Sequence, residues 1–474
     1  MAAKKIVLIN PYPEKSRGIN EATVYPPLGL AYLASYARRH GFTDIKIIDA
    51  NILKISNREL MRILKIMAPD IVGIQMNVIL ASAGVELSKM IKLSIPGCLV
   101  VIGGPLTSSN PREMLSLSKA DIAVIGEGEE TFLEILQDTE FERIRGVAFF
   151  KHQSFCITPP RPLIENINSI PFPAYDLLPP FKIYKSRARK KPVGVLITSR
   201  GCPYQCTFCN ASVFGKSFRA RSPENVMAEI DMLVAEFHIK QIDVLDDNFI
   251  NDMGRAESIF DAVISRKYGV LINLQNGVRV DRLTFATVKK MKKAGVFKIG
   301  VGIESGDPAI LKGVKKGLDL KQVEQALAWF RKAGIITIGF FMIGFPEDTE
   351  DSIRKTIAFA IRANPHIANF SMLTPFPGTA MHRELGESGN LKEANRLFYE
   401  SGFYDRKVYH KCKHLTEDAL FALQRQAYSK FNFRLSKMID VLLTIRSLNE
   451  LKWTLDAGFP LFKRVIAPFR RLRS

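Results

Sequence analysis

The sequence predicts an α/β protein built from two successive halves, and three observations support this fold class. Short β-branched runs alternate with amphipathic helical stretches over residues 1–150, and the same alternation resumes at residue 193. Eight prolines crowd into the intervening residues 151–192. At 474 residues the chain is also too long for one ordinary core. Its composition, 47% hydrophobic and 24% charged, is typical of folded protein rather than of disorder.

The first half, residues 1–150, is predicted to form a doubly wound, Rossmann-like parallel sheet, because strands and helices alternate at the spacing of β/α units. Its predicted strands cover residues 5–10, 44–49, 71–75, 99–103 and 121–125. The predicted helices between and after them cover residues 28–40, 57–67, 82–94 and 129–137. Ligands of such sheets bind beyond the carboxyl ends of the strands, where this sequence places small and polar residues.

The remaining chain is predicted to form a linker, a second β/α domain and a helical tail. The proline content of residues 151–192 indicates a linker or a wrapping arm. Residues 193–400 are expected to contain six β/α units, with strands at 193–198, 241–245, 270–275, 297–303, 335–342 and 368–373. Residues 401–474 form a basic C-terminal region, in which residues 415–439 are predicted to be helical.

The most informative motif lies directly after the first of these six strands. Residues 199–210 read Ser-Arg-Gly-Cys-Pro-Tyr-Gln-Cys-Thr-Phe-Cys-Asn, so half of the six cysteines fall within eight residues, at Cys202, Cys206 and Cys209. Three thiolates can hold three irons of a 4Fe-4S cluster and leave the fourth iron open to a small molecule. A structural zinc site would need a fourth ligand nearby, and buried inert thiols fit poorly in such a turn-prone segment.

This C-x3-C-x2-C spacing resembles the cluster motif of the radical S-adenosylmethionine (SAM) superfamily, and Phe208 matches the aromatic residue usual there. The resemblance implies that the amino and carboxylate groups of SAM bind the open iron. One electron from the cluster would then cleave SAM to methionine and a 5′-deoxyadenosyl radical. It also implies that the second domain is a partial (β/α)6, TIM-like barrel with its chemistry at the carboxyl ends of the strands.

The resemblance further implies a set of SAM contacts at the strand ends of this barrel. SAM needs acceptors for its ribose hydroxyls, apolar contact for adenine and close approach to backbone. The residues that match are Phe208, Asp247, Arg279, Glu304 and Gly344. The alternative is that these glycines and carboxylates are ordinary loop residues.

Residues 1–150 resemble the cobalamin-binding domain that precedes the radical SAM core in one branch of the superfamily. The match lies in Asn10-Pro11, in residues 26–34, and in the glycine-rich segments 103–105 and 126–129. The cobalamin contacts that it implies are Gln75, Met76, Asn77, Val78, Gly103, Gly104, Gly126 and Glu127. The alternatives are a flavodoxin-like domain without a cofactor or one that binds a nucleotide.

One departure concerns the metal of cobalamin. The Asp-x-His-x-x-Gly motif that supplies a histidine to cobalt in many cobalamin proteins is absent from this sequence. The only histidine before residue 150 is His40, which is expected to cap the C-terminus of a helix. We therefore predict that cobalt receives no histidine ligand.

The resemblance implies methylation of an unactivated carbon, with SAM as both radical source and methyl donor. A small-molecule or lipid-like substrate and a reductant such as flavodoxin or ferredoxin would be needed. A first alternative is oxidative ring formation, as in the anaerobic magnesium-protoporphyrin monomethyl ester cyclases of this branch, or another radical rearrangement of a porphyrin-like or lipid-like substrate. A second alternative is a sensor that binds cobalamin and cluster without turnover.

The charge pattern bears on location. The net charge is +20, and residues 430–474 alone carry ten Lys or Arg against three acidic residues. Cations mixed with aromatic residues indicate a segment that lies on an anionic membrane surface, although a helix packed on the barrel would also fit. No recognised nucleic-acid-binding module accompanies the charge. Cysteine usage suits the cytoplasm, and no apolar run is long enough to span a membrane, so we expect a cytoplasmic protein, peripheral at the inner face of the membrane.

Overall fold

The structure is a computed structural model that describes residues 4–14, 24–184, 188–392 and 407–446, together with positions 448, 451, 452 and 455. The strands are β1 Ile6–Asn10, β2 Ile45–Asp49, β3 Ile71–Gln75, β4 Leu99–Gly103, β5 Ile122–Val124, β6 Val147–Lys151, β7 Ser154–Ile157, β8 Val193–Leu196, β9 Ser199–Arg200, β10 Arg219–Ala220, β11 Gln241–Val244, β12 Leu271–Val278, β13 Val296–Glu304, β14 Ile336–Ile343 and β15 Ile367–Met372.

The helices of the described residues alternate with these strands. They are α1 Leu28–Arg39, α2 Ala50–Leu53, α3 Asn57–Met67, α4 Ala81–Ser94, α5 Pro105–Ser109, α6 Pro111–Ser118, α7 Glu129–Leu136, α8 Pro223–Ala235, α9 Met253–Arg266, α10 Phe285–Lys293, α11 Pro308–Gly313, α12 Leu320–Lys332, α13 Glu350–Ala363, α14 Ala380–Glu387, α15 Glu417–Asn432 and α16 Leu435–Thr444.

The chain divides into two compact units. The first unit contains residues 1–186, 199–229 and 375–406, and the second contains residues 187–198, 230–374 and 407–474. The cysteine segment, although it follows β8 of the second unit, therefore belongs to the first unit.

The first unit is built on a seven-stranded sheet in the order β2-β1-β3-β4-β5-β6-β7. Strands β1 to β5 pair in parallel, and β1, which lies between β2 and β3, is buried along its whole length. The prediction of a doubly wound parallel sheet is confirmed. The strand order reverses between β1 and β3, and in such sheets ligands bind beyond the carboxyl ends near that reversal.

An antiparallel hairpin, β6–β7, extends this sheet beyond what the sequence analysis foresaw. Its turn residues His152 and Gln153 both have positive φ, +46° and +67°. Hairpin turns of this kind favour Asn and Gly, so the usual sequence signal was missing. The hairpin enters the segment that was predicted as a linker. Residues 158–184 of that segment belong to the first unit, where the Tyr184 hydroxyl donates to Asp49 Oδ2 at 2.8 Å and the Tyr175 hydroxyl donates to Glu229 at 2.6 Å.

The second unit contains a six-stranded sheet in the order β15-β14-β13-β12-β11-β8, with every pair parallel. The strands follow one another in chain order between two ends, which confirms the partial (β/α)6 barrel. Helix α15 covers the end strand β15. Its Tyr428 hydroxyl receives a hydrogen bond from the Phe370 backbone at 3.1 Å, and Gln424 Nε2 donates to the Phe370 carbonyl at 2.8 Å. Without these bonds, the Phe370 N–H and carbonyl at the edge of the sheet would be unpaired and could bind a strand of another chain.

The tail differs from the single helix predicted over residues 415–439, because the chain breaks between α15 and α16. At the end of α15, Asn432 Nδ2 donates to the Tyr428 carbonyl at 2.9 Å. An asparagine side chain that bonds the local backbone competes with helix continuation. The next residue but one, Arg434, is extended and begins the new helix α16.

Candidate active site

The three clustered cysteines lie on a loop of the first unit that is closed at its base by a two-residue ladder. In this ladder β9 and β10 are antiparallel, with Arg200 opposite Arg219 and Ser199 opposite Ala220. The loop turns sharply at Gly201, where φ is +82° and a Cβ would lie 2.2 Å from the Ser217 carbonyl oxygen. Only glycine fits this position without a shift of backbone.

The thiols themselves are accessible for ligation. None of them is in a disulfide; Cys202 and Cys206 are half-buried and Cys209 is exposed. Within the residues that the structure describes, no three Cys, His, Asp or Glu side chains are gathered around one point as for a single metal ion. A cubane cluster does not require this, since each thiolate binds a different iron. The donor set therefore fits a 4Fe-4S cluster held by Cys202, Cys206 and Cys209.

Two further contacts tie this loop to the rest of the first unit. Asn210, the residue after the last cysteine, donates from Nδ2 to Ser109 Oγ at 2.6 Å and to the Pro377 carbonyl at 2.9 Å. The Thr207 carbonyl accepts a hydrogen bond from the Met381 backbone at 2.9 Å. The loop is thus bonded to α5, which follows β4, and to the segment around α14.

A buried cluster of four charged side chains lies at the base of the loop. Arg200 donates to Glu127 Oε1 at 2.8 Å and to Glu129 Oε1 at 2.5 Å. Arg219 donates to Glu127 Oε2 at 2.8 Å, and the four side chains are only 3–8% exposed. Burial alone would lower the pKa of the Arg200 guanidinium, but the Glu129 and Glu127 carboxylates outweigh it and hold the pKa above its ordinary value. The sequence analysis missed Arg200, Arg219 and Glu129.

The strand ends that were predicted to contact cobalamin come together at one edge of the first sheet, because β3, β4 and β5 are neighbours. Gly104 has φ of +109°, and a Cβ there would lie 2.6 Å from the Met76 carbonyl oxygen. Glycine is therefore required at position 104 because that position packs against the backbone after β3. Close approach by a large planar ligand is allowed instead by Gly103 and Gly126, which are half-buried and where a Cβ would meet nothing closer than 3.7 Å. This shape fits cobalamin.

The predicted cobalamin contacts differ in how they are placed. The Met76 side chain is fully buried, Asn77 Oδ1 accepts hydrogen bonds from the backbone of Ile79 and Leu80, and Gln75 and Val78 are half-buried. Glu127 is occupied by the two arginines. His40 is the exposed C-terminal cap of α1, with Nδ1 2.8 Å from the Tyr36 carbonyl. The contact residues remain predictions.

In the second unit, two predicted SAM contacts meet on one short segment. Glu304 Oε1 lies 2.9 Å from Lys316 Nζ, while Arg279 donates to the carbonyls of Lys316 and Gly317 at 2.6 and 2.5 Å. Glu304 also has a backbone φ of +70°, a conformation that residues other than glycine adopt rarely. Strained residues of this kind cluster at ligand sites, which supports Glu304 as a functional residue.

A third predicted contact, Gly344, is fixed on both sides. Its N–H donates to Asp348 Oδ2 at 2.9 Å, and its carbonyl accepts from His410 Nε2 at 2.7 Å. Burial raises the pKa of the Asp348 carboxyl, opposed by bonds from Ser352 and the Phe345 and Gly344 backbone. His410 lies in the tail region, and the sequence analysis assigned it no role.

The neighbouring carboxylates Asp246 and Asp247 lie in different environments. Asp246 is buried and accepts from the Thr198 N–H and hydroxyl at 2.6 and 2.5 Å, which holds the chain just before the cysteine loop. Asp247, the predicted SAM contact, is exposed at the end of β11, and Phe208 is half-buried. No local pattern of residues distinguishes the two aspartates.

The two parallel β/α sheets and the cysteine loop indicate a radical SAM enzyme with a cobalamin-binding domain, and comparison with known families gives the same class. Residues 17–136 match the B12 binding domain and residues 196–360 match the radical SAM superfamily. A protein of Pyrococcus horikoshii named as an uncharacterised methyltransferase is 35% identical over 440 residues, which cover 92% of this chain and 94% of that protein. The chain belongs to the cobalamin-binding branch of the radical SAM superfamily.

Two other proteins are similar to it. The anaerobic magnesium-protoporphyrin IX monomethyl ester cyclase of Rubrivivax gelatinosus is 27% identical over 384 residues, 78% of this chain and 68% of the cyclase. The radical SAM methyltransferase TsrM of Kitasatospora setae has the same fold, with a TM-score of 0.71 at 16% identity, over 97% of this chain and all of that chain.

Family membership confirms several predictions together. The chain is a cobalamin-dependent radical SAM enzyme, and its three cofactors are a 4Fe-4S cluster, SAM and cobalamin. No helix within the described residues combines the length and the apolar character needed to cross a bilayer.

Proposed function

We propose that this enzyme transfers a methyl group to an unactivated carbon of an apolar, lipid-like substrate. The observation that carries the methyl transfer is the likeness to the Pyrococcus horikoshii methyltransferase, which extends over nearly the whole of both chains. Oxidative ring formation is the second candidate, since the Rubrivivax gelatinosus cyclase matches 78% of this chain at lower identity. Both reactions need the same cofactors, so the motifs do not separate them.

The proposed division of work follows the two units. When bound, the reduced cluster supplies the electron that splits SAM, and cobalamin carries the methyl group. In the first unit Cys202, Cys206 and Cys209 hold the cluster, and the strand ends around Gly104 accept cobalamin. In the second unit Glu304 and Arg279, which share the segment at residues 316–317, orient the SAM ribose and methionine groups. An external one-electron donor, such as a flavodoxin or a ferredoxin, completes the system.

The reaction class is tested by incubating reconstituted protein with SAM and dithionite under anaerobic conditions. We expect 5′-deoxyadenosine, and we expect the triple alanine variant of Cys202, Cys206 and Cys209 to form none and to bind no cluster iron. The half-exposed Cys156, on the hairpin of the same unit, gives a matched control, and Cys156→Ala should behave as the wild type. Absence of 5′-deoxyadenosine with full iron content would favour the sensor hypothesis.

Methylation and ring formation are then separated with SAM that carries an isotopically labelled methyl group. Extracts of a strain that lacks the enzyme should contain the unmethylated substrate, and addition of the enzyme should transfer the label to an apolar metabolite. A product that has lost hydrogen without gaining the label would establish the cyclase reaction instead.

The lipid-like substrate is proposed because helix α16 turns an apolar face to solvent. Its apolar residues follow the spacing i, i+3, i+4, i+7 and i+8 and so share one face of the helix. They are 49–73% exposed, and they are Leu435, Met438, Ile439, Leu442 and Leu443. We call these five residues the apolar stripe. A contiguous exposed apolar surface of this kind marks a site of interaction with a membrane or another protein.

The opposite face of α16 is polar and is the one that is buried. Lys437 is 1% exposed and donates from Nζ to the Pro365 carbonyl at 2.6 Å, and Asp440 lies 3.0 Å from Arg331 Nη1. An ordinary surface helix packs its apolar side inward, whereas α16 is held by bonded polar groups and leaves its apolar side outward. This reversal supports a role for the stripe at an apolar surface.

We infer that the surface is an anionic membrane, because the chain that follows α16 is rich in cations. The residues with the highest charge density, Lys463, Arg464, Arg470, Arg471 and Arg473, lie outside the described residues. Each cation close to an anionic surface contributes about 1 kcal/mol. Neutralising all five should therefore reduce binding to anionic vesicles by several kcal/mol, and added salt should weaken it as well.

Vesicle co-sedimentation tests this proposal directly. We expect the protein to pellet with anionic vesicles and to stay in the supernatant with neutral ones. Equal recovery in the supernatant with both would contradict membrane association and would remove the support for a lipid-like substrate, while the methyl-transfer proposal would stand on its own test.

A further inference from the structure

Glu127 holds both arms of the cysteine loop at once. The ladder at the base of the loop places Arg200 directly opposite Arg219, and both guanidinium groups bond to the same carboxylate. Arg200 lies one residue before the turn at Gly201, and Arg219 lies at the far end of the loop. Glu127 itself comes from the turn that follows β5, at the carboxyl edge of the first sheet. One carboxylate therefore connects the sheet edge to the two ends of residues 201–218.

Glu127 has no oxygen left over in this arrangement. Its Oε1 accepts from Arg200 at 2.8 Å, and its Oε2 accepts from Arg219 at 2.8 Å and from the Ile164 backbone at 2.9 Å. Arg219 also donates to the carbonyls of Ile164 and Phe214 at 2.7 and 2.9 Å. Phe214 is itself a residue of the loop, so Arg219 bonds the loop from within while it bonds Glu127.

The four buried charged side chains at the base of the loop are balanced in charge, since Arg200 and Arg219 face Glu127 and Glu129. A buried ion pair of this kind adds little net stability compared with an apolar packing, but removing one partner leaves an uncompensated charge and is strongly destabilising. The Arg200 guanidinium also lies over the rings of Tyr32 and Phe214, 5.4 and 5.1 Å from their centroids. The position of the Arg200 side chain is thus fixed both by ion pairs and by ring contacts, as expected of a residue that positions the loop.

We propose that Glu127 is a positioning residue for the 4Fe-4S cluster rather than a cobalamin contact. It fixes the cysteine loop on the turn that follows β5, at the carboxyl edge of the cobalamin-binding sheet. The placement of the cluster would then be set by the same turn, residues 126–129, that borders the cobalamin edge. This inference rests on the cofactors of the family and holds whether the reaction is methyl transfer or ring formation.

The test compares Glu127→Gln with Asp49→Asn. Glutamine keeps the size of Glu127 but removes its charge. Asp49 is equally buried in the same unit, where it bonds Asn10 and Tyr184 instead of the loop. Hydrogen exchange followed by mass spectrometry should show residues 201–218 of Glu127→Gln exchanging on the order of tenfold faster, because one uncompensated arginine favours local opening. The loop in Asp49→Asn should exchange as in the wild type.

Two measurements on the same variant identify the role of Glu127. Reconstituted Glu127→Gln should retain less iron per chain and show a changed electron paramagnetic resonance signal of the reduced cluster. Its affinity for hydroxocobalamin should stay within about twofold of the wild type. Should this variant fail to fold, Arg219→Gln releases one arm of the loop and should give the same changes.

Two outcomes would overturn the proposal. Normal exchange and a normal cluster signal with weakened hydroxocobalamin binding would make Glu127 a cobalamin contact, as the family resemblance implied. Normal values of all three would make the charged cluster structural only.

Discussion

Replacement of two residues of the apolar stripe, Leu442→Ser with Leu443→Ser, should release the enzyme from anionic vesicles. Full burial of a leucine side chain stabilises by about 1.5–3 kcal/mol. Each of these leucines is 65% exposed, so each still has roughly two thirds of that amount, about 1–2 kcal/mol, to gain at a membrane. The pair together contributes about 2–4 kcal/mol, which corresponds to a fall in vesicle affinity of roughly 30-fold or more.

The assay is co-sedimentation over a range of lipid concentrations, with a control that removes as much exposed apolar surface elsewhere. Ile66 on α3 and Leu93 on α4 are each 86% exposed, so Ile66→Ser with Leu93→Ser provides that control in the first unit. Both double variants should melt within a few degrees of the wild type, because exposed substitutions change stability by about 0.5 kcal/mol or less. An equal loss of binding in both variants, or no loss in either, would refute the assignment of the stripe as the membrane-facing surface.

Three further predictions concern single residues. His40→Ala should leave the visible spectrum of bound cobalamin unchanged, since His40 caps α1 and bonds the Tyr36 carbonyl; a spectral shift would make it an axial ligand. Gly201→Ala should lower cluster iron content while leaving hydroxocobalamin binding intact, because a Cβ there meets the Ser217 carbonyl at 2.2 Å; a fully loaded cluster would show that the loop adjusts. Burial, with a smaller contribution from Arg331 and Lys437, lowers the pKa of His366 from 6.5 to about 4, so the folded protein favours the neutral histidine. The free energy of unfolding should therefore be highest above about pH 6.5 and should fall by up to about 3 kcal/mol as the pH drops towards 4. In thermal melts His366→Asn, which keeps an acceptor for the Thr337 N–H, should show a shallower loss over that range, and a slope equal to the wild type would contradict this origin.

Much of the fold could be predicted from local patterns. The five parallel strands of the first sheet and the six of the second were expected at their places along the chain, because buried parallel strands leave continuous apolar runs separated by amphipathic helices. The hairpin at β6–β7 was missed because its turn uses His152 and Gln153, which carry no turn signature. The break before α16 was missed because it depends on one asparagine bonding its own helix end.

The candidate site divides in the same way. Sequence by itself determined the cysteine motif, since ligand spacing along a short loop is a local property that a linear motif records, and the resemblance of its motifs to the superfamily implied the cofactors and the family. Only the tertiary structure decided which charges meet: that Arg200 and Arg219 share Glu127, that Asp246 is buried while Asp247 is exposed, and that α16 presents apolar residues outward. These contacts join residues from 48 to 92 positions apart, or depend on which face of a helix is covered. Such pairings follow from how the strands and loops pack, which no local pattern of residues encodes.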